Sequence, residues 1–313
     1  MPSILSLAAL RTALEVGFVY SLVALALFIS FSVLNIADLS TDGCYTLGFA
    51  VGATVTLAGH PFLALPAAMA AGAASGLVTA LLQTRLGVES ILAGIIVNTG
   101  LYTVNLAVMG WSSNLSIYGS NSLFTLAKGL STAGWWAKWH ELILLAVILL
   151  AACLLVISFL GTRLGLSIRA TGDNADMVRA SSINPAFTIT AGLCLSGSLT
   201  GLGGCLIGLL NKSSDINLGS GMVTVALASL IIGESIMGRR SMAGRVAGVV
   251  LGACLYRMIV AVAISTSLVP TEGFKLVSAV IVAAAAASPQ GRRLIALHRQ
   301  KRAAKGKGGA APC

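Results

Sequence analysis

Charged side chains are scarce in this sequence. Only 10% of its 313 residues are Asp, Glu, Lys or Arg, whereas 57% are hydrophobic. A soluble globular domain carries about 25% charged residues, so this chain cannot cover a water-facing surface of its own size. The composition therefore excludes a cytoplasmic enzyme, a secreted disulfide scaffold and a receptor with a single membrane anchor, and it indicates a membrane protein.

The short motifs of nucleotide, protease and esterase chemistry are missing as well. The sequence has no GxxxxGK[ST] phosphate loop, no HExxH pair and no GxSxG turn. Its three histidines are scattered, and its six cysteines show no CxxC spacing that would indicate a metal site. We therefore expect no catalytic residue, no metal ligand, no cofactor and no ATPase site of its own. A translocation subunit is then the simplest interpretation.

Long apolar runs fill most of the chain. A spanning helix needs about 20 apolar residues, which predicts an all-α, polytopic membrane helical bundle of about 8–9 transmembrane segments with a short cytoplasmic coupling helix. Glycine pairs four residues apart, such as Gly48 with Gly52 and Gly72 with Gly76, predict close helix crossings. The candidate spans are 8–34, 41–58, 62–82, 91–109, 142–160, 187–210, 223–237, 246–268 and 274–287, of which the second, seventh and ninth are short.

Basic residues predict the orientation of this bundle. When spans are counted back from the C-terminus, fourteen Lys and Arg residues fall on one side of the membrane and three on the other. The positive-inside rule then places the C-terminus in the cytoplasm. The side of the N-terminus stays open, because nine spans put it outside whereas Arg11 favours the inside. A break at membrane depth around residues 35–43, which would keep 41–58 from crossing completely, is one way to reconcile the two.

Two parts of the chain differ in composition. Residues 1–288 form the predicted transmembrane domain, and residues 289–313 form a basic cytoplasmic tail that we expect to be disordered. Its basic residues are expected to be attracted to anionic membrane lipid. Nucleic acid is not expected as a partner for so few basic residues beside a bilayer.

Polar residues inside the apolar runs predict a translocation path. Asn98, Tyr102 and Asn105 share one face of the fourth span, at positions i, i+4 and i+7. Such groups cost free energy in lipid, so they either line a water-filled path or form hydrogen bonds between helices, and both alternatives stay open. The candidate path residues are Asn35, Asp38, Asn98, Tyr102 and Asn105.

Ionisable residues also lie in or near apolar runs. A charge at the middle of a membrane helix costs roughly 2.5–3.5 kcal/mol on insertion scales, so Glu15, Glu234 and Arg257 require partners, and Glu234 is one candidate for Arg257. Asp38 and Asp42 have the alternative role of capping the second helix. An ion-coupled secondary transporter that uses these acids is therefore an alternative function. An intramembrane enzyme is disfavoured, since no His/Ser or His/Asp set is clustered at membrane depth.

The polar segment 165–185, GLSIRATGDNADMVRASSINP, is the most specific signal in the sequence. Thr171 or Asp173 can cap a short helix over about 174–182, and the Asn-Pro pair that follows ends it. This predicts a helix held between two spans on the cytoplasmic face. It is either an ordinary loop helix or a lever by which a cytoplasmic partner moves the bundle.

The stretch RATGDNADMVRASSIN resembles the coupling segment of permease subunits of bacterial binding-protein-dependent ABC importers. The match is to the branched-chain amino acid/ribose permease superfamily, and nearest to the tryptophan/tyrosine-type uptake permeases. The chain also resembles that group at LNIADLSTDG (34–43), IGE (232–234) and FKL (274–276), and the resemblance covers about residues 15–289. This chain has Ser182 where the family pattern has glycine, which bears on the geometry of the helix exit.

The resemblance implies a multi-subunit importer in the bacterial inner membrane. Two permease subunits, identical or paralogous, enclose a path, two cytoplasmic ABC ATPase subunits bind the coupling helices, and an extracytoplasmic binding protein delivers a small solute. The nearest group suggests an amino acid, imported by alternating access. The residues assigned to ATPase contact are Arg169, Thr171, Gly172, Asp173, Asn174, Asp176, Met177, Arg179 and Ala180.

A weak internal repeat also favours a transporter. Residues 35–52, a loop running into a short glycine-bearing span, resemble residues 211–233. With an odd number of intervening spans the two copies are inverted in the membrane, as in many transporters whose broken helices meet at the binding site.

Overall fold

The computed structural model describes residues 7–129, 134–237 and 241–265, together with Ala279 and Ala283. The tail and, apart from these two alanines, the predicted ninth span lie outside the described residues. The elements are α1 (Leu7–Leu27), a π-helical turn (Phe28–Val33), α2 (Thr41–Leu57), α3 (Pro61–Thr84), α4 (Ser90–Val108), β1 (Asn114–Ser116), α5 (Leu123–Lys128), α6 (Gly134–Gly161), α7 (Arg163–Asp173), α8 (Ala175–Ala180), α9 (Pro185–Asn211), β2 (Ser213–Asp215), α10 (Met222–Met237) and α11 (Met242–Ser265).

Within the described ranges, six helices are long and apolar enough to cross a membrane: α1 with its π-helical turn, α3, α4, α6, α9 and α11. Helices α2 and α10 have only 17 and 16 residues, less than the approximately 20 that a full crossing needs. The fold is therefore an all-α polytopic bundle, as predicted, whereas the predicted count of 8–9 transmembrane segments is not confirmed.

Helices α1 and α9 form the centre of the bundle. In the apolar stretch of each, 78% of the residues are buried, against 28% in α4 and 22% in α6, which lie at the periphery. Gly48 of α2 lies against the backbone of Gly201, and Gly72 of α3 lies against that of Gly197, so closely that a Cβ atom would collide with a backbone carbonyl. The predicted glycine crossings are confirmed at these positions.

An ion-pair cluster joins α1 to α6 at one end of the bundle. The Arg11 side chain contacts the carboxylate of Glu15 at 2.6 Å and that of Glu141, near the start of α6, at 2.8 Å. Glu15 thus has its partner on the same helix. The first residues of α1 and of α6 consequently lie at the same end of the bundle.

A second cluster joins α1, α10 and α11 at the opposite end. Arg245 Nη2 donates to Glu234 at 2.8 Å and to the Ser32 hydroxyl at 2.7 Å. The suggested pairing of Glu234 with Arg257 is therefore wrong. The guanidinium of Arg257 lies 4.9 Å from the centre of the Tyr20 ring, which is a cation–π distance.

A short antiparallel ladder joins the connection after α4 to the connection after α9. In this ladder β1 pairs with β2, with Asn114 opposite Asp215. One residue further on, the N–H of Ile216 donates to the carbonyl of Ser113 at 2.9 Å. The loop between α9 and α10 is thus fixed to another segment immediately before it turns back into the bundle.

Candidate translocation cavity and coupling segment

A cavity of about 280 Å³ lies between the first turns of α2, the middle of α4 and the loop that precedes α10. This is near the lower end of the volumes typical of small-molecule pockets, about 300 Å³. It brings together three of the five predicted path residues, Asn98, Tyr102 and Asn105. The lining residues are Asp42, Gly43, Thr46, Asn98, Thr99, Tyr102, Asn105, Ile216, Asn217 and Ser220.

The polar face of α4 also holds α4 against α2. Asn105 is only 1% exposed, and its Nδ2 donates to the carbonyl of Gly43 at 3.0 Å. Asn98 approaches the same glycine so closely that a Cβ atom there would lie 2.7 Å from its Oδ1. The two alternatives for these residues therefore coexist, since they line a cavity and one of them bonds across helices.

Asp42 connects the first turn of α2 to the start of α10. Its two carboxylate oxygens accept the backbone N–H groups of Gly221 at 3.0 Å and Val223 at 2.9 Å. The first N–H groups of a helix have no partner within that helix, so Asp42 caps α10 and not α2, which corrects the prediction. The described residues contain no cluster of three or more His, Cys, Asp or Glu side chains of the kind that holds a metal ion.

Asn35 and Asp38 do not line the cavity. Asn35 follows the π-helical turn with φ at 58°, in the left-handed region that asparagine tolerates better than most residues. Asp38 is 4% exposed and accepts the N–H and the hydroxyl of Ser40 at 2.9 and 2.6 Å, and does not cap α2. Both residues shape the connection to α2, so the structure separates them from the other three path residues.

The two segments of the internal repeat, 35–52 and 211–233, meet at the cavity. Both α2 and α10 are short helices that follow a loop, and the first turn of α2 touches the start of α10 through Asp42. Ile216, Asn217 and Ser220 of the second loop line the cavity, and the sequence reasoning missed them. The internal repeat included this loop but did not single out these residues.

The predicted coupling segment folds into two helices, α7 and α8. The Oδ1 of Asn174 accepts the backbone N–H groups of Asp176 and Met177, each at 3.0 Å. Asn174 is therefore the N-cap of α8, which corrects the prediction of Thr171 or Asp173. The polar helix is also shorter at both ends than predicted.

Thr171 and Gly172 anchor α7 to the bundle. Thr171 is buried, and its hydroxyl lies 2.8 Å from the hydroxyl of Thr188 in α9. Gly172 packs against the carbonyl of Val33 in the π-helical turn. The assignment of the Thr171 side chain to contact with a partner is therefore corrected, because that side chain is enclosed within this chain.

Most of the other candidate coupling residues are exposed. Met177 is 56% exposed on α8, and the neighbouring pair of Arg179 and Asp176 lies 3.7 Å apart in solvent, where such a pair contributes little stability. Helix α8 thus presents an apolar side chain beside charged ones. The exposed candidates are Asp173, Asn174, Asp176, Met177, Arg179 and Ala180, and Arg169 is partly buried.

Helix α8 ends in a Schellman motif. The N–H of Ile183 donates to the carbonyl of Val178, and that of Ser182 to the carbonyl of Arg179, both at 3.2 Å. Ser182 takes a φ of 61°, in the region that favours glycine. Ser182 thus occupies a position where the conformational freedom of glycine would be favourable.

The sequence is similar to those of several known proteins. The tyrosine transport system permease protein of Clostridioides difficile (strain R20291) is 28% identical over 267 residues, covering 85% of this chain and 86% of that protein. An uncharacterized protein of Rickettsia prowazekii (strain Madrid E) is 34% identical over 227 residues, covering 72% and 77%. The ribose import permease protein RbsC of Escherichia coli (strain K12) is 28% identical over 229 residues, covering 70% and 66%. No solved structure matches the chain significantly.

The family described as branched-chain amino acid transport system / permease component matches residues 10–286. This match includes the helices that line the cavity and the whole α7–α8 segment. The chain therefore belongs to the family of branched-chain amino acid transport system permease components.

Proposed function

We propose that this chain is the membrane-spanning permease subunit of an ABC importer, which moves a small solute inward by alternating access driven by ATP hydrolysis on a partner subunit. The observation that carries the proposal is that one bundle contains both a polar cavity and a short, solvent-exposed helix, α8, attached to it. Similarity to a tyrosine permease favours an amino acid as solute, and similarity to a ribose permease makes a sugar the alternative.

The contacts of α7 provide a route from α8 to the cavity. Thr171 bonds to Thr188 of α9, and Gly172 packs on the turn that ends α1. Helix α9 in turn packs closely on α2, where Gly204 meets Tyr45, and the first turn of α2 forms one cavity wall. A partner that displaces α8 therefore moves the helices that shape the cavity.

The proposed orientation places α7 and α8 in the cytoplasm, together with the C-terminus. The positive-inside count supports this, and so does the position of Arg245, whose partner Ser32 adjoins the Val33 that contacts α7. The cluster of Arg11 and Glu141 then lies at the extracytoplasmic end. Arg11 would then join the three basic residues on the outside, which the fourteen counted on the cytoplasmic side outweigh.

The assembled importer would contain further components. On the family's pattern these are cytoplasmic ABC ATPase subunits, a second permease subunit and an extracytoplasmic binding protein. We count α2 and α10 as crossings, each together with the loop before it, and residues 274–287 as a further span. The chain then crosses the membrane nine times, with the N-terminus outside. The basic tail 289–313 would lie against anionic lipid of the bacterial inner membrane.

A double substitution, Asp173→Ala with Arg179→Ala, tests the coupling role. Both side chains are exposed, so we expect a folded bundle that no longer co-purifies with the cognate ABC ATPase. Arg85→Ala with Glu89→Ala is the matched control, because it removes one exposed base and one exposed acid from the connection between α3 and α4. A double variant in α7–α8 that keeps both its ATPase and substrate-stimulated ATP turnover would show that the coupling assignment is wrong.

An ion-coupled secondary transporter is the second candidate, because one carboxylate, Asp42, lines the cavity. The two candidates differ in their energy source. We expect uptake to stop when cells are depleted of ATP, and to continue with an uncoupler while ATP is maintained. Uptake that survives ATP depletion and collapses with the uncoupler would favour the secondary transporter.

A further inference from the structure

We infer that the cavity recognises the ammonium group of its solute, with Asp42 and Asn105 as the accepting side chains. This rests on the proposed function, since it names the solute group that the proposed transport cavity binds. Of the lining residues in the described part of the chain, Asp42 alone is an acid and none is basic. A low-dielectric cavity lined in this way attracts a cation and repels an anion.

The Asp42 carboxylate is held in a fixed position with accepting capacity to spare. Its oxygens accept the backbone N–H groups of Gly221 at 3.0 Å and Val223 at 2.9 Å, and the N–H of Met222 also points to this carboxylate. A carboxylate has about four accepting sites, so three N–H donors still leave a lone pair for a ligand. These donors and the positive end of α10 favour the ionised form, whereas partial burial opposes it, and a bound cation would offset that opposition.

Asn105 supplies a second acceptor that has no partner within the chain. Its Nδ2 donates to the carbonyl of Gly43 at 3.0 Å, which determines which side of the amide carries the oxygen. The Oδ1 has no hydrogen-bond partner among the described residues, although Asn105 is only 1% exposed. A buried acceptor without a donor is unfavourable, and a solute that brings an N–H group into the cavity removes that penalty.

The cavity therefore matches an ammonium group better than a hydroxyl or a carboxylate. An ammonium group offers three donors and a positive charge, and both accepting residues line one cavity of about 280 Å³. A sugar hydroxyl can donate to Asn105 but carries no charge to pair with Asp42. The neutral side chains of Asn98 and Tyr102 remain for the rest of the solute.

Binding of three matched probes to the purified full-length permease in detergent tests this inference. The probes are 2-phenylethylamine, 2-phenylethanol and 3-phenylpropionate, and saturation-transfer NMR measures their dissociation constants. In the wild type we expect the amine to bind at least about tenfold more tightly than the alcohol, as a charge-assisted hydrogen bond would give, and the carboxylate to bind most weakly. Asp42→Asn should abolish the preference for the amine, whereas the control Glu89→Gln, at an exposed acid in the connection between α3 and α4, should keep it.

Equal binding of the amine and the alcohol by the wild type would overturn the inference without any variant. A preference that persists in folded Asp42→Asn would overturn the role of Asp42. If that variant does not fold, Asn105→Ala replaces it, with the amine expected to lose more affinity than the alcohol and an equal loss counting against the inference. Amine preference without ATP-driven uptake by the assembled importer would overturn the proposed function alone, and uptake without the preference would overturn this inference alone.

Discussion

The coupling segment and the cavity are built in opposite ways. Helices α7 and α8 are contiguous in sequence, and α8 is stabilised by short-range bonds such as the one that the Met177 N–H donates to Asn174 Oδ1. The cavity draws on α2, α4 and the loop before α10, held by long-range bonds such as that from Val223 to Asp42. Changes on the exposed coupling surface should therefore alter partner binding with little loss of stability, whereas changes around the cavity should affect stability and transport together.

The largest effect is expected where α2 packs on α9 behind the cavity. Gly204 abuts the carbonyl of Tyr45, so Gly204→Leu forces the two helices apart and should cost about 3 kcal/mol or prevent folding. Thermal unfolding in detergent measures the loss. Gly100→Ala is the control, because nothing lies within 4 Å of a Cβ there, and it should leave the unfolding temperature unchanged or raise it. Equal unfolding temperatures for the two variants would contradict the close-packing argument.

A smaller effect is expected where α10 ends, at the level of the coupling segment. Glu234→Gln removes the charge that pairs with Arg245 at 2.8 Å, where both side chains are largely buried. Leaving that guanidinium without its carboxylate should cost about 2 kcal/mol. Asp176→Asn breaks the exposed pair with Arg179 and should leave the unfolding temperature unchanged. If the two substitutions destabilise equally, the contrast between buried and exposed regions does not hold.

The smallest effect is expected within the coupling segment itself. Ser182 adopts a φ of 61°, so Ser182→Gly relieves backbone strain and should raise stability by up to about 1 kcal/mol. Ser181→Gly is the neighbouring control, because its φ of −87° suits any residue. Glycine there increases the conformational entropy of the unfolded chain and also removes the exposed hydrogen bond from the Ser181 hydroxyl to the carbonyl of Met177. The unfolding temperature should rise for the first variant and fall for the second. The reverse order would show that the left-handed backbone conformation of Ser182 in the Schellman motif does not limit stability.

Sequence reasoning succeeded where the determining contacts are local. The helical period placed Asn98, Tyr102 and Asn105 on one face, and the structure gathers all three at one cavity. The coupling segment was placed correctly between two apolar helices, but its cap was not. Thr171 and Asn174 can both cap a helix, and the contact of Thr171 with α9, which the local sequence does not encode, leaves Asn174 as the cap.

Sequence reasoning failed where residues far apart in the chain come into contact. Asp42 lies in the first turn of α2, where a role in capping that helix was the alternative considered, yet its carboxylate accepts N–H groups of α10, far along the chain. The sequence did show that the second and seventh apolar runs are short, and they correspond to α2 and α10, but hydropathy alone does not show whether such a run crosses the membrane completely. An apolar run records burial, and a half-length helix inside a protein is as apolar as a full span.

The small ladder between β1 and β2 has a mechanical consequence for the cavity. Strand pairing cannot slide gradually, because a shift of one residue turns every side chain to the opposite face. The pairing ends where the N–H of Ile216 meets the carbonyl of Ser113, and Ile216 and Asn217 are already part of the cavity wall. That part of the cavity wall is therefore held by a pairing whose register can change only in whole-residue steps. A displacement of β1 along β2 would be transmitted to Ile216 and Asn217 in the same steps.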